Sequence, residues 1–228
     1  MKRLLLVIVV LSSIVAKAQD ANALAQKVKA KLAKVKDYEA KANMVTEVSF
    51  MKVPPSDILV YYKNPDKFKI KKQDGIAVTP KGGMSVNLSG LFAGDRFAAV
   101  AAGSTTFNGA TVTILKLIPL DEKTDVVAST LYINEKELLI VKAITTTKDN
   151  GSYEMEFSYG KYSDWGLPDK VVFIFDTKDY KLPKGIAFDY DPGIKKTKPA
   201  PSENTKGRVT ITYTTYSINK GIKDAVFN

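Results

Sequence analysis

The chain has 228 residues, of which 34 are lysine or arginine and 24 are aspartate or glutamate, and its formal net charge is +10. It contains no cysteine and no histidine, which excludes disulfide bonds, thiol nucleophiles and imidazole as a catalytic base or metal ligand. We therefore expect no metal, no cofactor and no enzymatic activity, although a Ser-Lys nucleophile stays open. The excess positive charge favours acidic partners such as anionic lipid headgroups.

The N-terminus has the pattern of a secretory signal. An apolar run from Leu4 to Val15 follows two basic residues and precedes the small-residue cleavage pattern Ala16-Lys17-Ala18. The run is shorter than the ~20 apolar residues of a membrane span. We expect residues 1–18 to be removed and residues 19–228 to form one soluble, exported domain, for which nucleic acid is not an expected partner.

An amphipathic helix is predicted from Asp20 to about Lys36. Leu24, Val28, Leu32 and Val35 recur at helical spacing, and the lysines between them fall elsewhere on the helix. One stripe of this helix should therefore be packed, and its lysines should face solvent.

From Tyr38 onward the sequence predicts an antiparallel β-sheet. Short runs rich in Val, Ile, Thr, Tyr and Phe are separated by turn residues. The predicted strands are residues 40–52, 57–63, 67–72, 75–79, 110–119, 126–133, 137–148, 152–162, 170–176, 184–189 and 207–218.

The segment 67–72 shows how the faces of the sheet divide. Phe68 and Ile70 alternate with three lysines, so at strand period the two kinds of side chain point to opposite sides. Nucleic-acid binding needs basic and aromatic residues on one face. The pattern therefore favours an apolar interior with a solvated basic exterior.

Residues 88–102 interrupt the strand pattern and are predicted to form one or two helical turns. Gly90 and Gly94 weaken helical structure by about 1 kcal/mol each relative to alanine. The segment fits a lid over an apolar cavity, although an ordinary solid core is the alternative. The predicted lid residues are Leu91, Phe92, Phe97 and Val100, and the predicted cavity wall comprises Phe50, Leu59, Tyr61, Phe68, Ile70, Ile114, Met155, Phe157, Phe173 and Phe175.

The order of these features resembles the LolA-like periplasmic carriers. This fold is shared by lipoprotein carrier and acceptor proteins and by the lipid-sensing domain of envelope-stress regulators. The matching stretches are LAKVKDYEA, ILVYYKNPDKFKIKK with the following Asp74-Gly75, TVTILKLIPLDE, LYINEKELLIVKAITTTKDNGSYEMEFSYGKY and the closing TYSINKGIKDAVFN.

The resemblance implies a mainly β fold, an incomplete antiparallel barrel of about eleven strands with an N-terminal helix and short lid helices over its concave face. It implies a monomeric, non-catalytic periplasmic carrier that shields the acyl chains of lipoproteins or another lipid. An inner-membrane releasing complex and an outer-membrane acceptor would be its partners, with transient contact at the membrane surface. The alternative is a regulatory module on the same fold that senses lipid or envelope stress.

One position departs from the pattern of the carriers. They typically place an arginine before the proline of the strand-pair motif, where it helps to latch the lid, whereas this chain has Asn64 with Lys63 beside it. Asparagine lacks the guanidinium fork. The resemblance therefore places the latch position at Lys63 and Asn64, without the arginine of the carriers.

Overall fold

The computed structural model describes residues 20–48, 51–72, 88–92, 96–121, 124–149, 151–176 and 206–227. The predicted signal, Phe50, Asp74-Gly75 and the predicted strands 75–79 and 184–189 lie outside these ranges.

Helix α1 spans residues 20–32 and ends four residues earlier than predicted. The N–H groups of Lys34 and Val35 bond to carbonyls three residues back, which tightens the chain beyond the helix. The Asn219 side chain caps the segment that follows the helix. It accepts hydrogen bonds from the N–H groups of Lys36 and Asp37 and donates one to the Lys34 carbonyl. This capping from a distant segment explains a boundary that helical periodicity does not show.

Eleven strands form one antiparallel sheet within the described residues. Its spatial order is β4-β3-β1-β11-β10-β9-β8-β7-β6-β5, with β2 paired to the end of β1, and the two outer strands leave the barrel open. The predicted mainly β, incomplete barrel is thereby confirmed. The strands are β1 (Asp37–Val48), β2 (Met51–Lys52), β3 (Ser56–Lys63), β4 (Lys67–Lys72), β5 (Phe97–Phe107), β6 (Ala110–Pro119), β7 (Val126–Asn134), β8 (Leu139–Thr147), β9 (Ser152–Ser158), β10 (Lys170–Asp176) and β11 (Lys206–Ile218), and short 3-10 helices occupy Leu88–Phe92, Ser163–Trp165 and Asp224–Val226.

The prediction of helical turns over residues 88–102 is wrong from Phe97 onward, where β5 begins. Asn108 and Gly109 have φ values of 48° and 79° and join β5 to β6 as a tight hairpin. Asn-Gly between two runs is a strong hairpin signal because both residues tolerate positive φ. Cross-strand pairing with β6 therefore overrides the helical preference of the alanines in this stretch.

The core lies on the concave face of the sheet, beneath α1. Each strand from β1 to β11 except β2 contributes inward residues to one apolar cluster or to the side chains packed against it, and α1 contributes Ala21, Ala25, Val28 and Leu32. The convex face is polar in its centre, where Lys142 forms an ion pair with Glu154 at 2.6 Å. The helix thus covers the apolar side of the sheet.

Candidate functional site

The predicted wall residues on β9 and β10 come together on the concave face. Met155 pairs directly with Phe173 across the two strands, and Phe157 and Phe175 occupy the neighbouring inward positions. All four are buried, and the rings of Phe173 and Phe175 lie 5.5 Å apart. This part of the concave face is densely packed.

On β3 and β4 the predicted wall divides between the two faces. Phe68 and Ile70 pair with Tyr62 and Val60 and pack against the core. Leu59 and Tyr61, by contrast, alternate with the buried residues of β3 and face the convex side. Assigning these two to the same wall as Phe68 was wrong, because adjacent residues of a strand point to opposite faces.

Ile114 is also misplaced in the predicted wall. It pairs with Tyr132, and its neighbour Leu115, which is fully buried, pairs with Leu131 on the concave side. The run ILKLI is apolar at positions of both parities, so alternation alone does not identify the inward residues.

The predicted lid divides in the same way. Leu91 and Phe92 lie in the 3-10 helix and are buried, and the Phe92 ring lies 5.7 Å from that of Phe97. Phe97 is buried as well, but it is part of strand β5 and not of a helical lid. Val100 is on the opposite face of β5 and is 49 % exposed. Among the described residues of the predicted lid segment, those of Leu88–Phe92 are therefore the ones with the helical character that a lid insert was expected to have.

One end of the concave face is filled by tyrosines. The rings of Tyr38 and Tyr62 lie 5.3 Å apart, and the Tyr216 ring lies 5.2 Å from Tyr38 and 4.9 Å from Tyr213. Burial raises the pKa of Tyr38 and of Tyr216 well above the usual value, with smaller contributions from the neighbouring phenols. These hydroxyls stay protonated at neutral pH, and the Tyr216 hydroxyl donates to the Pro168 carbonyl at 2.8 Å.

A cleft of about 490 Å³ opens between the first half of α1 and strands β5 and β6. Its apolar lining includes Leu24, Ala101 and Leu115. Ala21 and Ala23 also line the cleft. Its charged and polar lining residues are Asp20, Lys27, Thr113 and Glu135. The cleft is therefore amphipathic, with apolar and charged groups converging on one space.

Leu24 belongs to the predicted helix stripe, but the cleft itself was not predicted from the sequence. Ala101 fell inside the predicted helical segment, although its pairing with Leu115 places it on the inward face of β5. The Asn108-Gly109 signal would have revealed the hairpin, and with it the strand that forms the far side of the cleft.

The two ends of α1 are fastened differently. At the first half, the Asn22 side-chain oxygen accepts a hydrogen bond of 3.1 Å from the Ala99 N–H. At the other end, the Lys31 ammonium donates to the Glu137 carbonyl at 2.6 Å, and Asn219 caps the turn that follows. Partial burial lowers the pKa of Lys31, against the opposing influence of Asp164 and Glu137.

The residues predicted as a latch contact the C-terminal segment and the segment that follows α1. The Lys63 ammonium donates to the Ile222 carbonyl at 3.0 Å and to the Asp224 carboxylate at 2.8 Å, and Lys67 lies 3.0 Å from the same carboxylate. Hydrogen bonds from Lys63 and Lys67 lower the pKa of Asp224. Asn64 is exposed, and its backbone N–H donates to the Lys36 carbonyl at 2.8 Å.

Within the described ranges, no group of three or more carboxylates is placed to hold a metal ion. Nor does any helix among those residues have the length and apolarity needed to cross a membrane.

No protein-family model and no curated protein matches the chain. Among solved structures, it is similar to a DUF1329 family protein from Desulfovibrio piger, with a TM-score of 0.57 and 13 % identity over 93 % of this chain and 97 % of that one. It is also similar to a LolA superfamily protein from Nitrosomonas europaea (TM-score 0.55, 10 % identity, 89 % and 96 % of the chains). A third similar structure is an outer membrane lipoprotein-sorting protein domain from Vibrio parahaemolyticus (TM-score 0.50, 12 % identity, 92 % and 97 %). These likenesses confirm the predicted resemblance at the level of architecture: the chain has the LolA-like fold.

Proposed function

We propose that the protein binds an acyl chain, free or attached to a lipoprotein, in the cleft between α1 and β5–β6 and carries it through water without changing it chemically. The observation that carries this proposal is the cleft of about 490 Å³ with its mixed lining. Small-molecule sites commonly measure ~300–1,000 Å³ and are mostly apolar with a few polar groups that orient the ligand. Leu24, Ala101 and Leu115 supply apolar contacts, while Lys27 supplies a cation for a carboxylate or phosphate end.

The physical need for such a carrier follows from the hydrophobic effect. At ~0.8 kcal/mol per methylene, an acyl chain with about 14 methylenes in water costs on the order of 11 kcal/mol. A protein that moves acylated cargo between membranes has to cover most of that surface. The concave face of an open barrel, with a helix across it, supplies apolar surface that a ligand can share.

The cleft opens by movement of the first half of α1 in this proposal. The inward residues there are Ala21 and Ala25, whose side chains bury little apolar area, whereas Val28 and Leu32 anchor the second half. The second half is also tied by Lys31 and by the Asn219 cap. Displacing the first half therefore costs less than displacing the whole helix.

The cellular setting proposed for this activity is the periplasm, with acylated lipoproteins or lipids as cargo. The likeness to an outer membrane lipoprotein-sorting protein domain supports this setting, as does the signal pattern of the N-terminus. A releasing complex at the inner membrane and an acceptor at the outer membrane would be the docking partners of a monomeric carrier. Its role would be non-catalytic.

Two adjacent substitutions on β5 test the site. Ala101→Trp places an indole in the cleft, whereas Val100→Trp places the same group on the opposite face. Titration with a fluorescent fatty acid should show weakened binding for A101W only, with the fatty acid recovered intact. Equal binding by the two variants, or no binding by the wild type, would contradict the proposal.

A further inference from the structure

A group of lysines lies on the convex side of the sheet, away from the acyl-chain cleft. We call this group the basic face. On β4, Lys69 pairs with Tyr61 and Lys71 pairs with Leu59, and both tyrosine and leucine face outward. The members of the basic face are Lys41 of β1, Lys69 and Lys71 of β4, and Lys220 and Lys223 of the segment after β11.

These lysines are contiguous in space. The ammonium of Lys71 lies 5.4 Å from the centroid of the Tyr61 ring, and Lys41 stands opposite Leu59 on the neighbouring strand. Tyr61 also lines a cleft of about 270 Å³ together with Lys220 and Lys223. Lys220 and Lys223 thus line one small, partly apolar depression, and Lys41, Lys69 and Lys71 lie on the adjoining outward surface of β1 and β4.

Most of the acidic groups in this region already accept hydrogen bonds from the protein. Asp224 forms ion pairs with Lys63 and Lys67, and the buried Asp37 accepts hydrogen bonds from the backbone N–H groups of Lys220 and Gly221. Asp57 accepts from the side chain of Asn43. Glu39 pairs with Tyr61 across β1 and β3 and lines the small cleft. The seven lysines of this region, which are the basic face together with Lys63 and Lys67, still outnumber Asp37, Glu39, Asp57, Asp66 and Asp224, so the net charge of this surface is positive.

Protection of a sheet edge does not account for the basic face. Lysines on an outer strand discourage edge-to-edge aggregation, which would explain Lys69 and Lys71 on β4. Lys41, however, is on β1, which is paired on both sides by β3 and β11. Lys220 and Lys223 lie outside the sheet altogether.

The apolar groups among the lysines favour a lipid surface over a nucleic acid. Tyr61, Ile222 and Val226 are half-buried and line the same small cleft. Lysine stems and tyrosine rings suit the headgroup region of a bilayer, where one end of the side chain is apolar and the other is hydrated. A stacking platform for bases requires an open aromatic face, and the Lys71 ammonium covers the Tyr61 ring.

We propose that the basic face docks the protein on membrane surfaces that carry anionic phospholipid headgroups. This docking goes beyond acyl-chain binding and rests on charge and not on the cleft. Lysines held near an anionic leaflet are attracted to it, and the attraction falls off within a Debye length.

Vesicle flotation of the exported, purified protein tests the proposal. Vesicles of phosphatidylcholine with and without phosphatidylglycerol are compared for the wild type and for two variants with equal loss of charge. The first removes the basic face (K41Q, K69Q, K71Q, K220Q, K223Q). The control removes five exposed lysines elsewhere (K116Q, K136Q, K148Q, K161Q, K170Q).

Wild type and control should bind only the phosphatidylglycerol vesicles, and the basic-face variant should bind them at least about tenfold more weakly. Its fatty-acid binding should be unchanged, which separates this result from the fate of the cleft. Equal losses in both variants would show a net-charge effect and overturn the proposal, as would equal binding to neutral vesicles. Tighter binding of an oligonucleotide, lost in the same variant, would reassign the face to nucleic acid.

Discussion

The Asn22 side-chain oxygen accepts a hydrogen bond of 3.1 Å from the Ala99 N–H, and this contact joins α1 to strand β5 beside the cleft. Because Ala99 is buried, its N–H has no ready access to water if the asparagine is removed. The bond therefore holds the first half of the helix closed over the concave face.

Asn22→Ala should loosen the first half of α1 and lower the stability of the protein. The buried Ala99 N–H loses its partner at a cost of about 1–3 kcal/mol, and the higher helix propensity of alanine offsets part of that cost, up to ~0.7 kcal/mol. Hydrogen exchange should accelerate in residues 20–28, and a fluorescent fatty acid should associate faster. Asn22→Asp keeps an oxygen at this position and should resemble the wild type. Unchanged exchange in N22A would contradict the role given to this contact.

Gly207→Ala should destabilise the protein, since Gly207 lies beneath the ring of Phe175. A Cβ at Gly207 would come within 2.4 Å of Cζ of that ring. Overpacking of this kind costs about 1–3 kcal/mol, measured as the free energy of unfolding in urea. The double variant with Phe175→Leu, which removes the ring, should lose less stability than the sum of the single variants. Strict additivity would contradict the direct contact.

Asp224→Asn should lower the urea midpoint at neutral pH and have no effect in acid. Hydrogen bonds from Lys63 and Lys67 lower the pKa of Asp224 in the folded protein below its ordinary value of 3.8. Its contribution is therefore complete above pH 3.8 and is lost as the pH falls through the lower, folded pKa.

The matched control for this pH series is Asp66→Asn, which removes one exposed carboxylate from the turn between β3 and β4. The difference between D224N and wild type should disappear in acid and shrink at high salt, because the pair is exposed. If the difference in urea midpoint between D224N and wild type stays constant down to the lowest pH measured, the ion pair is not its source.

Most strands of this chain can be predicted from its sequence. The bounds of β4, β6 and β10 agree with the predicted segments, because each run ends at turn residues or charged residues. The helix stripe from Leu24 to Leu32 was also predicted. Local periodicity records these features since they depend on neighbouring residues alone.

The site was harder to predict because it depends on pairing between distant strands. Ile114 and Leu115 have similar side chains, and only the register with β7 shows that Leu115 faces the concave side. Leu59 and Tyr61 were assigned inward for the same reason. The cleft itself joins α1 to a strand about eighty residues later, a distance that no local pattern encodes.

Acyl-chain binding in the cleft is measured most directly by photocrosslinking with a fatty acid that carries a diazirine near the end of its acyl chain, followed by mass spectrometry of the peptides. We expect adducts on α1 around Leu24 and on β5–β6 around Ala101 and Leu115, with competition by unlabelled fatty acid. Adducts confined to the convex face, or labelling that competitor does not reduce, would contradict it.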